Sequence, residues 1–252
     1  MTRRSTLWLG WGLALLAMAV FGGLGRWQLG RMHEKQAMLD AVQAVLVERE
    51  ARPLAVAADP ARRAAYDWVA GRGRFADLPA ILLDNQSRGQ RPGVRAYRLF
   101  FPESAFPEPT LSEPAPPLLV ELGWLPLPGD RRMPVVAPVP GERRIAGLLM
   151  PPPSGGLGAA AVQVQADGTI VATALDAPAL PGLLRQPRLP PRVLRLDPTD
   201  PLGYARDLDI LPNTLPPQRH LGYAVQWFAL AAAVLATALL LSFRHRFRRP
   251  RR

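Results

Sequence analysis

Two short stretches hold most of the residues in this sequence that could do chemistry. RHLGYAVQWFAL, residues 219 to 230, places one of three histidines at the threshold of a long apolar run. On a helix, His220, Tyr223, Ala224 and Trp227 fall at i, i+3, i+4 and i+7 and share a face. Gln226 carries an amide roughly 9 Å along the axis from His220. GRWQLGR, residues 25 to 31, sets Trp27, Gln28 and Arg31 just after another apolar run. Polar groups at membrane depth need partners, and the two sets could meet at one membrane surface. The imidazole has two readings here: an electron-pair donor to a ligand, or an interfacial group bonded to a backbone carbonyl or lipid headgroup, with Tyr223 and Trp227 as belt anchors.

Other chemistries find little support. The chain has no cysteine, so thiolate metal sites, disulfides and cysteine nucleophiles are absent. His33 stands beside the first apolar run and His245 in the tail, which leaves no histidine for a Ser-His-Asp triad in the middle of the chain. GxSxG, HExxH, P-loop and GxGxxG-helix patterns are missing. Asp207 and Asp209 alternate as solvated surface charge. The methionines at 1, 18, 32, 38, 133 and 150 form no soft-ligand cluster for copper. The sequence therefore points away from an enzyme and contains no metal site, His220 excepted.

The elements that must position these residues are two apolar segments. Leu7 to Leu24 and Leu221 to Phe243 hold no charged residue. Eighteen helical residues rise about 27 Å, enough to cross a bilayer core. Trp8, Trp11, Tyr223 and Trp227 suit the aromatic belts. The net charge of +11 sits at the ends: two Arg precede Leu7 and six follow Phe243, leaving 23 basic against 20 acidic residues between them. Such flanks read as topological anchors and not as a nucleic-acid footprint. The expected topology is cytoplasmic residues 1–6, a first span over 7–24, a periplasmic region over 25–220, a second span over 221–243 and a cytoplasmic tail over 244–252, in the inner membrane of a bacterium. Ala17-Met18-Ala19 also resembles a signal-peptide cleavage site, but the apolar run continues past it, so the segment is expected to be retained.

Between the spans, Gly25 to Glu50 has Leu29, Met32, Met38, Leu39, Val42, Val45 and Leu46 in helical rhythm and predicts a continuation of the first helix. From Tyr66 onward, DWVAGRGRF, AILLDNQ, RAYRLFF, LLVELGW, RRIAGLLM and PRVLRL predict short strands. Asp167-Gly168 predicts a type I′ hairpin turn. The Pro-rich stretches 102–117 and 151–156 predict loops. The fold class is thus a membrane protein with two transmembrane helices flanking one mainly-β (α+β) domain, barrel closure being left open.

These residues carry a resemblance to the surfeit-locus, Shy-type family of cytochrome c oxidase assembly factors. The family's first-helix motif Gly-x-Trp-Gln-x-x-Arg-x-x-x-Lys is matched by Gly25, Trp27, Gln28, Arg31 and Lys35, and its motif His-Leu-x-Tyr-Ala-x-x-Trp-Phe by His220, Leu221, Tyr223, Ala224, Trp227 and Phe228. LLVELGWLP resembles the family's Val-Asn-Arg-Gly-Trp-Val-Pro strand, and RRIAGLLMPP the segment after it. Glu121-Leu122 replaces Asn-Arg, and Gly93 to Tyr97 gives a weaker match, as in a divergent bacterial member. The resemblance implies promotion of haem a insertion into the catalytic subunit of cytochrome c oxidase, with the proteins of haem a synthesis and membrane lipid as further partners and no nucleic acid. It implies His220 as haem axial ligand, with Tyr223 and Trp227 as apolar walls. Arg31 or Arg219 would pair with the propionates. The alternative is a scaffold that holds oxidase subunit intermediates without binding haem.

Overall fold

The computed structural model describes residues 3–103, 116–153, 158–187, 189–211 and 215–247, without the side chains of 3, 4 and 245–247. The middle of the expected 102–117 loop, the second half of the 151–156 loop, the tail beyond residue 247 and the side chain of His245 lie outside the described residues. The chain divides into two compact units, residues 1–40 with 214–252, and residues 41–213.

The first unit is helical. Helix α1 runs Arg3–Glu48 and, at the other end of the chain, helix α3 runs Pro217–Phe247. Leu, Ala, Met and Gln favour the helix throughout α1, and no proline interrupts it before Pro53. Pro217 opens α3, where its missing N–H costs nothing. Both helices are long and apolar enough to cross a membrane. The apolar windows of α1 and α3 are 0% and 6% buried within the protein. A core helix would bury most of that surface, so these faces suit lipid.

Less exposed residues along each helix include a stripe with a spacing of alternating threes and fours. On α1 that stripe is Trp11, Ala14, Met18, Phe21, Gly25, Gln28, Met32 and Lys35, with Ala17, Gly22, Leu24 and Leu29 less exposed beside it. On α3 it is Pro217, His220, Ala224, Trp227, Ala231, Val234 and Ala238. That spacing is the seam of two helices packed knobs-into-holes. The Trp11 indole donates to Ser242 Oγ at 3.0 Å, Phe21 stacks on Trp227 at 5.6 Å, and Lys35 donates to the Leu215 carbonyl at 2.9 Å. Partner numbers fall as α1 advances, so the helices are antiparallel.

The second unit is a nine-stranded mixed sheet: β1 (Arg52–Pro53), β2 (Asp67–Phe75), β3 (Ile81–Arg88), β4 (Arg91–Pro102), β5 (Leu118–Pro126), β6 (Glu142–Met150), β7 (Val162–Val164), β8 (Ile170–Ala172) and β9 (Val193–Leu196). All six runs expected from β-prone composition are strands. The order is β1-β2-β6-β9-β5-β4-β3-β8-β7, and a further pairing of β2 with β4 joins Gly73–Phe75 to Phe100–Pro102. Strands β2, β6, β9, β5 and β4 thereby close a five-stranded ring, which removes most free edges. The inward residues Val69, Val94, Ala96, Phe100, Val120, Leu122, Leu149 and Leu194 fill one apolar cluster. The outward residues Trp68, Tyr97, Leu99, Leu119, Leu148 and Val193 form a second, joined by Leu180 and Leu184 around the short helix α2 (Leu180–Leu183) and by Val42. With both faces covered, the strands read as near-continuous apolar runs.

The hairpin at Asp167-Gly168 is not of type I′. Only Gly168 has positive φ, +85°, and its N–H donates to the Gln165 carbonyl at 3.0 Å. This is a tight turn followed by a left-handed glycine, as in a bulged three-residue hairpin. The cause is local: Asp167 accepts from both the backbone N–H and the hydroxyl of Thr169 at 2.9 Å, an Asx arrangement that does not need Asp167 in the left-handed region.

Candidate functional site: a buried histidine between two helices

The helical seam brings two of the expected residues into direct contact. Gln28 on α1 and His220 on α3 face each other, with Gln28 Oε1 at 2.7 Å from His220 Nδ1. His220 is 7% exposed, and its Nε2 is buried with no hydrogen-bond partner. Gly25, one turn earlier on α1, makes this approach possible: a Cβ there would lie 2.8 Å from the Phe228 ring. A larger residue would force the exposed Phe228 ring to shift. Ala224, one turn into α3 from His220, is 1% exposed and keeps the opposite wall thin.

The other expected residues scatter around this pair. Lys35 is buried, and its bond to the Leu215 carbonyl closes the seam. Trp227 is half-buried against Phe21, whereas Tyr223 and Trp27 lie on the exposed surface of the helices. Arg31 pairs with Glu34 at 2.5 Å on an exposed face, and the Arg219 side chain is exposed. Gln226 is exposed, and the amide that meets His220 is that of Gln28. The helical periodicity gave Gln226 the depth but not the direction, because six residues from His220 is off the 3.6-residue repeat.

The sheet unit holds a second buried polar cluster that the sequence reasoning passed over. Glu121 on β5 is fully buried. Its Oε1 accepts from Arg95 Nη1 at 2.5 Å, and its Oε2 accepts from the Tyr97 hydroxyl at 2.9 Å and Arg195 Nε at 3.1 Å. Strand register produces this, with Glu121 opposite Tyr97 on β4 and Arg195 on β9. Burial pushes the Glu121 carboxyl up, but the charges of Arg195 and Arg95 and the bonds from Tyr97 and Arg95 outweigh it and hold the group below its usual range. Burial, and then the charge of Glu121, raises the Tyr97 hydroxyl well above its ordinary value. The available signal was one acidic residue inside the apolar run LLVELGW, with one partner arginine in RAYRLFF and the other in PRVLRL.

Beside that cluster, a cleft of about 130 Å³ is lined by Arg88, Arg95, Glu121, Trp124, Arg206 and Asp207, among others. It forms at a β-bulge where β5 gains a residue over β4. Gly123 has φ +126°, and a Cβ there would meet the Tyr204 carbonyl oxygen at 2.7 Å. Leu122 faces inward and is 1% exposed, so it fills the apolar cluster instead of bringing a charge. Asp207, expected as surface charge, lies 3.5 Å from Arg88. Among the described residues no group of three His, Cys, Asp or Glu is placed to hold a metal ion.

A family model described as the SURF1 family matches residues 15–232, which takes in the Gln28 and His220 segments and the whole sheet. No curated protein matches the chain.

Proposed function

Since the chain belongs to the SURF1 family, which is associated with cytochrome c oxidase assembly, we propose that it is a membrane-anchored assembly factor promoting haem a insertion into the oxidase catalytic subunit. Haem a is cargo in this reading, held and passed on without turnover. Both termini lie in the cytoplasm, and the sheet unit lies in the periplasm.

One observation carries the reading: a buried imidazole whose Nε2 has no partner. Buried polar atoms are nearly always satisfied, so one left open needs a reason, and an incoming ligand is the reason that supports this reading. Imidazole nitrogen is a common axial ligand of haem iron, so the residues present fit the group. His220 would be the ligand. Tyr223, three residues on from His220 along α3, and Trp27, next to Gln28 on α1, are exposed and would offer aromatic surface to the apolar macrocycle. Arg219 would be free to pair with a propionate, whereas Arg31 would first have to leave Glu34.

The test is complementation of a strain lacking the protein, read from the haem a band in the reduced-minus-oxidised spectrum of its membranes. Wild type should restore the band and His220→Ala should not, although the variant protein accumulates. Equal restoration would overturn the ligand role. It would favour the scaffold reading, in which the bonds of Gln28 to His220, Lys35 to Leu215 and Trp11 to Ser242 serve only to clip the helices together.

A further inference from the structure

We infer that Gln28 is a positioning residue, whose amide oxygen holds the His220 proton on Nδ1 so that Nε2 presents a bare electron pair inside the helical seam. A neutral imidazole has one N–H and one lone pair, and the partner of one nitrogen decides the state of the other. Gln28 Oε1 can only accept, so at 2.7 Å the proton lies on Nδ1. The orphaned Nε2 is then an acceptor. Turning the amide over would leave a buried N–H with nothing to receive it, which is the rarer and costlier arrangement.

The seam holds Gln28 opposite His220. Gly25, Gln28 and Lys35 lie on one stripe of α1, and the contacts of Gly25 with Phe228 and of Lys35 with the Leu215 carbonyl bracket Gln28 on both sides. The bond joins residues 192 apart in sequence, so it forms only when the helices are in register. Assembling the hairpin and preparing the imidazole are therefore one event. A hydrogen bond that fixes the tautomer and ring angle of a ligating histidine also raises its basicity toward a metal. That the acceptor at Nε2 meets haem iron rests on the function proposed above, but the tautomer does not.

The test uses the full chain in lipid nanodiscs, with His33→Gln and His245→Gln leaving His220 as the single histidine. Nitrogen-15 NMR of labelled histidine at mildly alkaline pH should show a protonated Nδ1 and an unprotonated Nε2. A proton on Nε2 would overturn the inference. Gln28→Leu should mix the two tautomers and weaken haem a binding, followed by absorbance, on the order of 10- to 100-fold. Gln28→Glu keeps the acceptor and should retain both properties, which separates positioning from simple loss of packing. A Leu variant with the wild-type nitrogen spectrum would also overturn it. If the wild type shows the expected tautomer but takes up no haem a, the inference stands and the haem reading of the function falls.

Discussion

The helical seam and the sheet each bury a polar cluster, around His220 and around Glu121, and they treat it in opposite ways. In the sheet, both oxygens of Glu121 are occupied, by two guanidinium groups and a phenol. In the seam, one of the two nitrogens of His220 is occupied and the other is open. In the sheet unit, Asp84 Oδ1 and the Nε–H groups of Arg95, Arg98 and Arg192 also lack a partner, but Asp84 pairs with Arg131 through its other oxygen at 3.8 Å, and a guanidinium has five donors and keeps bonds through its Nη atoms. A closed cluster stabilises or specifies a fold, whereas an open one costs stability unless a partner completes it, which is what the function proposed above would supply at His220.

The largest effect that would sharpen this contrast is at Glu121. Glu121→Gln keeps the shape but leaves Arg95 and Arg195 buried against a neutral amide. Breaking a buried pair in this way costs about 3–5 kcal/mol. Hydrogen exchange of the full chain in detergent, resolved by peptide, should then show the 91–126 region opening more than about a hundredfold more often, since about 1.4 kcal/mol is a factor of ten. An unchanged rate would mean that the network is not holding the sheet.

Acid is the next probe. Glu121 and Asp67 both titrate below their usual range in the folded sheet. For Asp67, burial raises the carboxyl, but hydrogen bonds from Arg62 and Arg192 outweigh it. Unfolded carboxylates bind protons near pH 4. The stability these groups supply is therefore complete above about pH 5 and is lost as pH falls through the lower folded values. Each contributes a slope of up to about 1.4 kcal/mol per pH unit in that window. Sheet opening measured from pH 6 to 2 should steepen below about pH 4, and Glu121→Gln should flatten the curve by one carboxylate.

Much of this was legible in the sequence, because both features rest on periodicity. Charge-free runs marked the spans, short β-prone runs marked the strands, and the pairing of GRWQLGR with RHLGYAVQWFAL pointed to the two segments that meet. Three things were not legible. The three-four seam was visible only as a general apolar surface, since in a membrane helix the lipid side is as apolar as the packed side. Glu121 was hidden because a charge inside a strand declares itself only once register places Arg95 and Arg195 beside it. Ring closure rests on three residue pairs between β2 and β4, which no local pattern encodes.

The smallest expected effect bears on the comparison most directly. Replacing Gln28 and His220 together by leucine removes the bond and both polar groups at once, leaving no orphan behind. Such double replacements of a buried pair by apolar groups of similar shape are nearly neutral. Hairpin stability, measured by loss of helical circular dichroism in a denaturing detergent series, should change by less than about 1 kcal/mol. Oxidase assembly should nonetheless fail. That combination would separate the two clusters in kind: one whose loss unfolds its surroundings, and one whose loss leaves the helices packed and the protein without its task. A cost of about 3 kcal/mol or more would place the pair alongside Glu121 as a device of the fold. The open Nε2 would then be the incidental remainder of a helix clip, and the scaffold reading would follow.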